Sequence, residues 1–299
     1  MNSHLRVGRI VSGSAEPYSE SVPRNAEQLD ADLRAVIAGY GRLLTAYSGG
    51  VDSTLVAVVA RKVLGRSEAP AVIGDSASLP RHELDEARRI ARSYDIDLIE
   101  VQPGEQDDPN YQANAGDRCY YCKTHLYDAL WTVTDDRGIA HIANGTNADD
   151  LGDHRPGLDA AKEHRVVSPL LEAKLTKQDV RTLAEYYELP NADKPASACL
   201  ASRIPYGTAV TPERLTMVEQ AENALRELGF AGYRVRHHET VARIELPTDQ
   251  LLRAIEQRDA IVARLNDVGY TYVAVDLAGF RSGSGNAVLQ QLTIRDPQG

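Results

Sequence analysis

Short apolar runs alternate along most of the chain with stretches that place apolar side chains at helical spacing. In residues 53–64, for example, Leu55, Val58, Val59 and Val63 fall on one helical face. We predict strands at residues 43–47, 71–73, 97–101 and 139–143, and helices at 53–64, 81–94 and 118–134. Such alternation is typical of a parallel sheet with helices on both faces, so the predicted fold class is α/β.

The pattern changes beyond residue 194, where proline and glycine recur and predict a loop at 194–211. After it we predict a helix at 212–228, one or two strands at 233–246, a helix at 248–266, and strands at 270–276 and 288–294. These elements indicate a second, smaller α+β domain. Residues 1–24 are rich in Ser, Gly, Glu and Pro and lack periodicity, which predicts a flexible tail. The predicted domains are therefore residues 25–205 and 206–299.

Composition and charge narrow the possible partners. The 299 residues are 42% hydrophobic and 25% charged, which is ordinary for a globular protein. The net charge is −10, whereas a nucleic-acid binder usually carries a basic balance, so a small-molecule substrate is favoured over nucleic acid. No apolar run reaches the length of a membrane span, and the polar N-terminus lacks the apolar core of a signal peptide. We therefore expect no membrane partner and a cytoplasmic location.

The strongest chemical motif is Ser-Gly-Gly-Val-Asp-Ser-Thr at residues 48–54, which we call the phosphate loop. It lies between a predicted strand and a predicted helix. Gly49 and Gly50 let the backbone turn its N–H groups toward an anion, and the helix start adds its positive dipole end. Asp52 is a candidate Mg²⁺ ligand. Further hydroxyl donors come from Ser48, Ser53 and Thr54.

The phosphate loop matches neither the Walker A pattern nor the dinucleotide-binding pattern of glycines. It is similar instead to the signature of the PP-loop ATP pyrophosphatase superfamily. That resemblance implies that the protein binds ATP with Mg²⁺ and cleaves it between the α and β phosphates. Pyrophosphate would be held by the loop, and a substrate would be activated by adenylation.

The chain has three cysteines, and two of them form a Cys-x-x-Cys pair at Cys119 and Cys122. Cys199 lies far away in the sequence. In a cytosolic chain this pattern points to metal or redox chemistry before structural disulfides. Two alternatives stay open. One is a closed zinc site made of the three cysteines and His125. The other is that the three thiols are buried and bind no metal.

Several blocks of the sequence together resemble one family, the LarE family of ATP-dependent sulfur transferases, which make the nickel-pincer nucleotide cofactor. The matching blocks lie between residues 46 and 286 and read SGGVDST, RCYYCK, NGTNADDLGDHRPG, CLASRIPYG, RVRHHETVARIE and VDLAGFRSGSGN. The resemblance implies that the substrate is pyridinium-3,5-dicarboxylic acid mononucleotide or its half-thiolated form. ATP would adenylate a ring carboxylate, and sulfur would then displace AMP to give a thiocarboxylate.

The resemblance also bears on the source of the sulfur. One kind of family member has a single cysteine in the CLASR-like block and gives up that sulfur, leaving dehydroalanine. Another kind has three cysteines and holds a [4Fe–4S] cluster. Because this chain has all three, we expect Cys119, Cys122 and Cys199 to ligate a [4Fe–4S] cluster whose open iron carries sulfide from an external donor. Sacrificial loss of the Cys199 sulfur is the alternative.

Polar residues at the carboxyl ends of predicted strands are candidate nucleotide ligands. Gly145 and Asn147 follow the strand at 139–143, at the sheet edge where ligands of open α/β sheets bind. Nearby aspartates are candidates for binding Mg²⁺ or for ordering the loop, namely Asp149, Asp150 and Asp153. Arg203 is expected to contact a substrate carboxylate with both ends of its guanidinium group.

The smaller domain is expected to bind substrate and to form oligomers. Arg234 and Arg236 alternate along a predicted strand and so face one side, with Glu245 nearby. The resemblance implies that they bind the 5′-phosphate of the substrate. It further implies a homo-oligomer, often a hexamer, with residues 275–281 as a subunit contact or a structural segment. A PP-loop tRNA thiolase, an amide-forming ligase and a non-enzymatic sensor are the alternative functions.

Overall fold

The computed structural model describes residues 24–152, 156–195 and 197–281. The predicted strand at 288–294 and the predicted tail lie outside these residues, except for Arg24. The Arg24 guanidinium donates hydrogen bonds to the carbonyls of Ala173 at 3.1 Å and Lys174 at 2.8 Å. Arg24, predicted as the last residue of the tail, is therefore tied to the body of the protein.

A four-stranded parallel sheet forms the centre of the first part of the chain, in the order β3-β2-β1-β4. The strands are β1 (Leu44–Ala46), β2 (Ala71–Gly74), β3 (Leu98–Val101) and β4 (Ile142–Ala143). The inner strands are almost wholly apolar, as strands covered on both faces must be. The four predicted strands are confirmed, with bounds that differ by one to three residues; β2 is one residue longer than predicted and the other three are shorter.

Helices cover both faces of this sheet. They are α1 (Ala26–Tyr40), α2 (Val51–Leu64), α3 (Arg81–Ser93), α4 (Pro109–Gln112), α5 (Arg118–Arg137), α6 (Pro156–Glu163), α7 (Pro169–Glu172) and α8 (Lys177–Tyr186). Side chains of β2 alternate between two apolar layers, since Ala71 and Ile73 pack toward α1, α2 and α3, whereas Val72 packs toward α5. The predicted α/β class is thus confirmed.

A second sheet follows in the order β5-β6-β7. Its strands are β5 (Arg234–His238), β6 (Val241–Glu245) and β7 (Tyr272–Val275), the first two antiparallel and the last two parallel. The helices of this part are α9 (Pro212–Glu227), α10 (Leu251–Glu256) and α11 (Arg258–Val268). The single helix predicted at 248–266 is wrong in one respect. It is interrupted at Gln257, where φ is −95° and ψ is 13°, and no proline or glycine in the sequence marks the break.

Between the two sheets, Cys199 caps a short 3₁₀ helix, Leu200–Arg203. We call Cys199 and this helix the Cys199 turn. Leu200 and Ala201 are fully buried in an apolar cluster with Tyr111 of α4 and Leu215 of α9. The turn is therefore held by elements from both parts of the chain. The boundary between the domains, at residue 205, stays a prediction.

Candidate functional site

The phosphate loop connects the end of β1 to the start of α2, as the sequence predicts. Gly49 has a φ of +75°, and a side chain there would bring a Cβ within 2.9 Å of Ala87 Cβ, so glycine is required. Ser53 Oγ donates to the Gly50 carbonyl at 3.1 Å and accepts from the Ser48 N–H at 3.1 Å. The loop is thus closed by its own hydroxyl group, with the first turn of α2 directly behind it.

Asp52 of the phosphate loop pairs with a lysine from a distant helix. Lys177 Nζ lies 2.6 Å from Asp52 Oδ2 and 2.8 Å from Oδ1. Asn147 Nδ2 donates to Asp52 Oδ1 at 3.2 Å. Gly145 packs so closely against the loop that a Cβ there would lie 2.8 Å from the Ser53 nitrogen. The structure therefore brings the predicted nucleotide residues Gly145 and Asn147 to the phosphate loop.

The acidic residues that follow Asn147 order the loop after β4. Asp149 Oδ2 accepts from the Lys177 backbone N–H at 2.9 Å, and Asp150 Oδ2 accepts from the Asn147 N–H at 3.1 Å. Asp153 lies outside the described residues. Within the described part of the chain, no group of three or more His, Cys, Asp or Glu side chains is arranged to hold a metal ion. Mg²⁺ in nucleotide sites typically binds one or two carboxylates together with substrate phosphates and water, and Asp52 is the candidate carboxylate here.

The three cysteines are free thiols on two separate segments. Cys119 and Cys122 lie in the first turns of α5, and Cys199 opens the Cys199 turn. Cys122 and Cys199 pack against the same apolar cluster, while Cys119 is exposed. Removal from water raises the pKa of the Cys122 thiol to about 12, and the neighbouring Cys199 sulfur adds to the shift. Folding thus brings Cys199 beside the Cys-x-x-Cys pair.

His125 pairs with a carboxylate that precedes α4. Its Nε2 lies 2.9 Å from Asp108 Oδ2, and the carboxylate belongs to the residue that caps α4. A carboxylate at Nε2 is also the usual partner of a histidine that ligates a metal through Nδ1. The closed zinc site made of the three cysteines and His125 therefore stays an alternative.

The arginines of β5 lie next to the Cys199 turn. Arg236 Nη2 donates to Glu245 Oε2 at 2.8 Å, and its Nη1 donates to the Ser202 carbonyl at 2.8 Å. Arg234 stacks on the Phe280 ring at 5.0 Å. Burial lowers the pKa of Arg234, and the positive charges of Arg203 and Arg236 contribute to this shift. An anion bound here would relieve the repulsion between these cations.

Comparison with known proteins indicates the family to which this chain belongs. A family model described as NAD synthase matches residues 29–113, which include the phosphate loop. An uncharacterized protein from Synechocystis sp. is 44% identical over 260 residues, covering 86% of this chain and 97% of the relative. Pyridinium-3,5-bisthiocarboxylic acid mononucleotide synthase from Lactiplantibacillus plantarum is 38% identical over 264 residues, covering 88% of this chain and 96% of the relative.

This chain belongs to the LarE family. An uncharacterized protein from Methanocaldococcus jannaschii, 28% identical over 81% of this chain and 91% of its own, is a more distant relative. Membership of the LarE family and a PP-loop together make the protein an ATP-dependent enzyme. No helix in the described residues has the length and apolar character needed to cross a membrane.

One arginine of this LarE family member differs from the sequence prediction. Arg203, expected at a substrate carboxylate, is only 2% exposed. Its guanidinium instead forms two contacts with Glu222 of α9, at 2.9 Å and 3.2 Å, and donates to the Cys199 carbonyl at 3.0 Å. Burying a guanidinium is costly unless a nearby charge compensates it, and here the fold supplies Glu222, which the local sequence does not reveal.

Two polar residues of the nucleotide site were missed by sequence reasoning. Lys177 is preceded by Thr176, which forms a capping box with Asp179 at the start of α8, and this T-x-x-D pattern could have marked the position. Asn191 donates to the Gly49 carbonyl at 2.9 Å and to Thr54 Oγ1 at 3.0 Å. No local pattern distinguishes Asn191, because its role depends entirely on tertiary contacts.

Proposed function

We propose that this enzyme adenylates a carboxylate of pyridinium-3,5-dicarboxylic acid mononucleotide and then replaces a carboxylate oxygen with sulfur. The name of the relative from Lactiplantibacillus plantarum, a pyridinium-3,5-bisthiocarboxylic acid mononucleotide synthase, supports this substrate. So does the combination of a phosphate loop, three free thiols and an arginine-rich strand in one chain.

One observation carries the proposal more than the others. The Cys199 turn begins with a thiol, and the Ser202 carbonyl of the same turn accepts a hydrogen bond from Arg236. A nucleotide whose phosphate binds Arg234 and Arg236 would therefore lie next to the cysteines. Phosphate oxygens suit the planar donors of arginine, and here the cations partly repel one another.

In the first step, a carboxylate oxygen of the substrate attacks the α-phosphorus of ATP. The bond from that phosphorus to the bridging oxygen breaks, and pyrophosphate leaves with the electron pair. The backbone N–H groups of the phosphate loop and the start of α2 stabilise the negative charge of the leaving group. On binding ATP, Lys177 exchanges Asp52 for a phosphate oxygen, and Asp52 becomes available to Mg²⁺.

In the second step, a hydrosulfide ion attacks the acyl carbon next to Cys119, Cys122 and Cys199. The carbon–oxygen bond to AMP breaks, AMP leaves with the electron pair, and the proton on sulfur passes to solvent. Adenylation is needed because a free carboxylate would have to expel oxide, whereas AMP is a far better leaving group. The products are AMP, pyrophosphate and a thiocarboxylate.

The three thiols fit the donor set of a [4Fe–4S] cluster. All are unpaired, and they come together from α5 and the Cys199 turn. Each cysteine of such a cluster ligates a different iron, so the lack of a single-ion site in the described residues does not count against it. When bound, the cluster supplies an iron without a protein ligand, at which an external sulfide can be held. Cys119, Cys122 and Cys199 are its proposed ligands.

Other expectations from the sequence belong to the same proposal. They are a homo-oligomer, such as a hexamer, a smaller domain at 206–299 that binds substrate, and a reaction without nucleic acid in the cytoplasm. A PP-loop tRNA thiolase is the competing function, and the acidic net charge of −10 favours the small molecule.

The test is a substrate comparison with anaerobically purified protein, Mg²⁺-ATP and sulfide. We expect AMP and pyrophosphate to form when the pyridinium dicarboxylate mononucleotide is added, and not when unmodified tRNA is added. Thiolated nucleosides in tRNA, with no AMP formed on the pyridinium compound, would show that the proposed substrate is wrong.

A further inference from the structure

Arg118, the first residue of α5, is a buried cation. Its side chain is 4% exposed, and among residues 24–152, 156–195 and 197–281 it forms no ion pair with Asp or Glu. Its oxygen partners are neutral, since Nη1 donates to Asn114 Oδ1 at 2.6 Å and to the Ala201 carbonyl at 2.8 Å. A buried charge is strongly disfavoured unless an opposite charge compensates it.

The groups nearest to the Arg118 guanidinium that can carry negative charge are thiols. Arg118 Nη2 lies 4.0 Å from Cys119 Sγ, within the range of a hydrogen bond to sulfur. Nη1 of the same guanidinium donates to the Ala201 carbonyl, in the turn that Cys199 opens. The cation is therefore directed at the same sulfur atoms that the proposed function uses.

The contacts of Arg118 also join the two segments that carry the cysteines. Arg118 lies next to Cys119 on α5, whereas Ala201 belongs to the Cys199 turn. Asn114 extends this link, because its side-chain amide donates to the carbonyls of Pro205 at 2.8 Å and Thr208 at 2.9 Å. Arg118 and Asn114 thus hold the segment that begins with Cys199 against the start of α5.

We propose that Arg118 is a positioning residue and a counter-ion of an anionic sulfur site formed by Cys119, Cys122 and Cys199. The inference rests on the proposed function, in which three thiolates hold an iron–sulfur cluster. The negative charge of three thiolates outweighs the positive charge of the oxidised cluster core, and bound sulfide adds to it. A buried guanidinium balances that charge, as the missing carboxylate partner requires.

The test uses full-length protein reconstituted anaerobically with ferrous iron and sulfide, in wild-type form and as Arg118→Met. Iron per chain and the midpoint potential of the cluster are measured, the latter by redox titration followed by electron paramagnetic resonance. Because outer-shell partners of metal ligands typically contribute 10- to 100-fold to metal affinity, we expect at least about a tenfold weaker cluster in the variant. Loss of a nearby positive charge should also shift its midpoint potential to a more negative value.

Two further variants separate charge from structure. Arg118→Lys keeps the cation and is expected to restore the midpoint potential toward that of the wild type. Arg137→Met removes an arginine from the exposed end of the same helix, where it pairs with Asp97 at 2.6 Å, and should leave the cluster unchanged. If Arg118 had a purely structural role, the Arg118→Lys and Arg118→Met variants would lose iron to the same extent, and the midpoint potential of any cluster that assembles would be unaltered. That result would contradict the counter-ion role of Arg118.

A second pair of variants keeps Arg118 in place and so does not depend on Arg118→Met folding. The Tyr206 ring lies 6.0 Å from the Arg118 guanidinium on a half-buried loop. Tyr206→Glu brings a carboxylate to the cation, and we expect the same negative shift in potential, whereas Tyr206→Gln has similar size but no charge. Equal midpoint potentials in the Tyr206→Glu and Tyr206→Gln variants would contradict the counter-ion role of Arg118 but not the presence of the cluster. A wild-type protein that takes up no iron would instead overturn the cluster and the counter-ion together.

Discussion

Lys177 contributes a positive charge to the nucleotide site, where its ammonium group pairs with Asp52 of the phosphate loop at 2.6 Å. We expect Lys177→Met to raise the KM for ATP about tenfold or more, because a hydrogen bond to a charged group contributes about 1.5–3 kcal/mol. Pyrophosphate release against ATP concentration is the measurement. Lys174→Met, an exposed lysine just before α8, is the matched control. An unchanged KM in the Lys177 variant would remove this residue from the site.

The protonation state of Cys122 affects the free energy of unfolding of the metal-free protein. Burial raises the pKa of its thiol from 9.0 to about 12. Below pH 9 the thiol keeps its proton in both the folded and unfolded states. Above pH 9, the unfolded chain loses this proton at a lower pH than the folded protein does. The free energy of unfolding should therefore fall as pH rises from 9 toward 12. Buried tyrosines titrate in the same range, so the measurement is the difference between wild type and Cys122→Ala in denaturant titrations. A difference that does not vary with pH would contradict this account.

At the scale of elements, the end of β4 packs directly on the phosphate loop. A Cβ on Gly145 would lie 2.8 Å from the Ser53 nitrogen and 2.9 Å from Asp52 Cβ, distances that force the loop to move. We expect Gly145→Ala to abolish most AMP formation while the far-ultraviolet circular dichroism spectrum stays native. The control is Gly39→Ala in α1, where no atom lies within 4 Å and alanine should stabilise the helix by up to about 1 kcal/mol. Normal AMP formation by Gly145→Ala would mean that this contact is not needed.

The sequence predicts those elements whose position depends on local pattern. β1 and β2 are short apolar runs, and the phosphate loop is where its glycines indicate, because strand, turn and helix signals coincide there. The interruption at Gln257 was not predictable, since the apolar spacing continues through it. The contacts of Lys177 and Asn191 were not predictable either. They join residues that are 125 and 142 positions apart, for which a single sequence holds no signal.

At the scale of the whole molecule, the Arg203–Glu222 pair ties the Cys199 turn to the second sheet. Glu222 is 4% exposed, and it also accepts from the Val235 N–H of β5 at 3.0 Å. Breaking a buried pair by removing one charge typically costs about 3–5 kcal/mol, so Glu222→Gln should lower the free energy of unfolding by about that amount. The measurement is urea denaturation of the metal-free protein.

Glu227→Gln is the control for this prediction, since Glu227 lies on the same helix in an exposed pair with Arg264 at 3.2 Å. Exposed pairs contribute about 0–1 kcal/mol, so this variant should unfold almost as the wild type does. Equal stabilities of the two glutamine variants would show that the Arg203–Glu222 pair does not hold the turn in place.

We propose that Cys119, Cys122 and Cys199 deliver external sulfide repeatedly to an adenylated carboxylate. In the experiment, isotopically labelled sulfide is supplied with Mg²⁺-ATP and pyridinium-3,5-dicarboxylic acid mononucleotide under anaerobic conditions, and product and protein are measured by mass spectrometry. The account predicts labelled thiocarboxylate, more than one product molecule per chain, and an unchanged Cys199 peptide. Unlabelled product that stops at one molecule per chain, with the Cys199 peptide lighter by H₂S, would contradict it and identify Cys199 as a sacrificial donor.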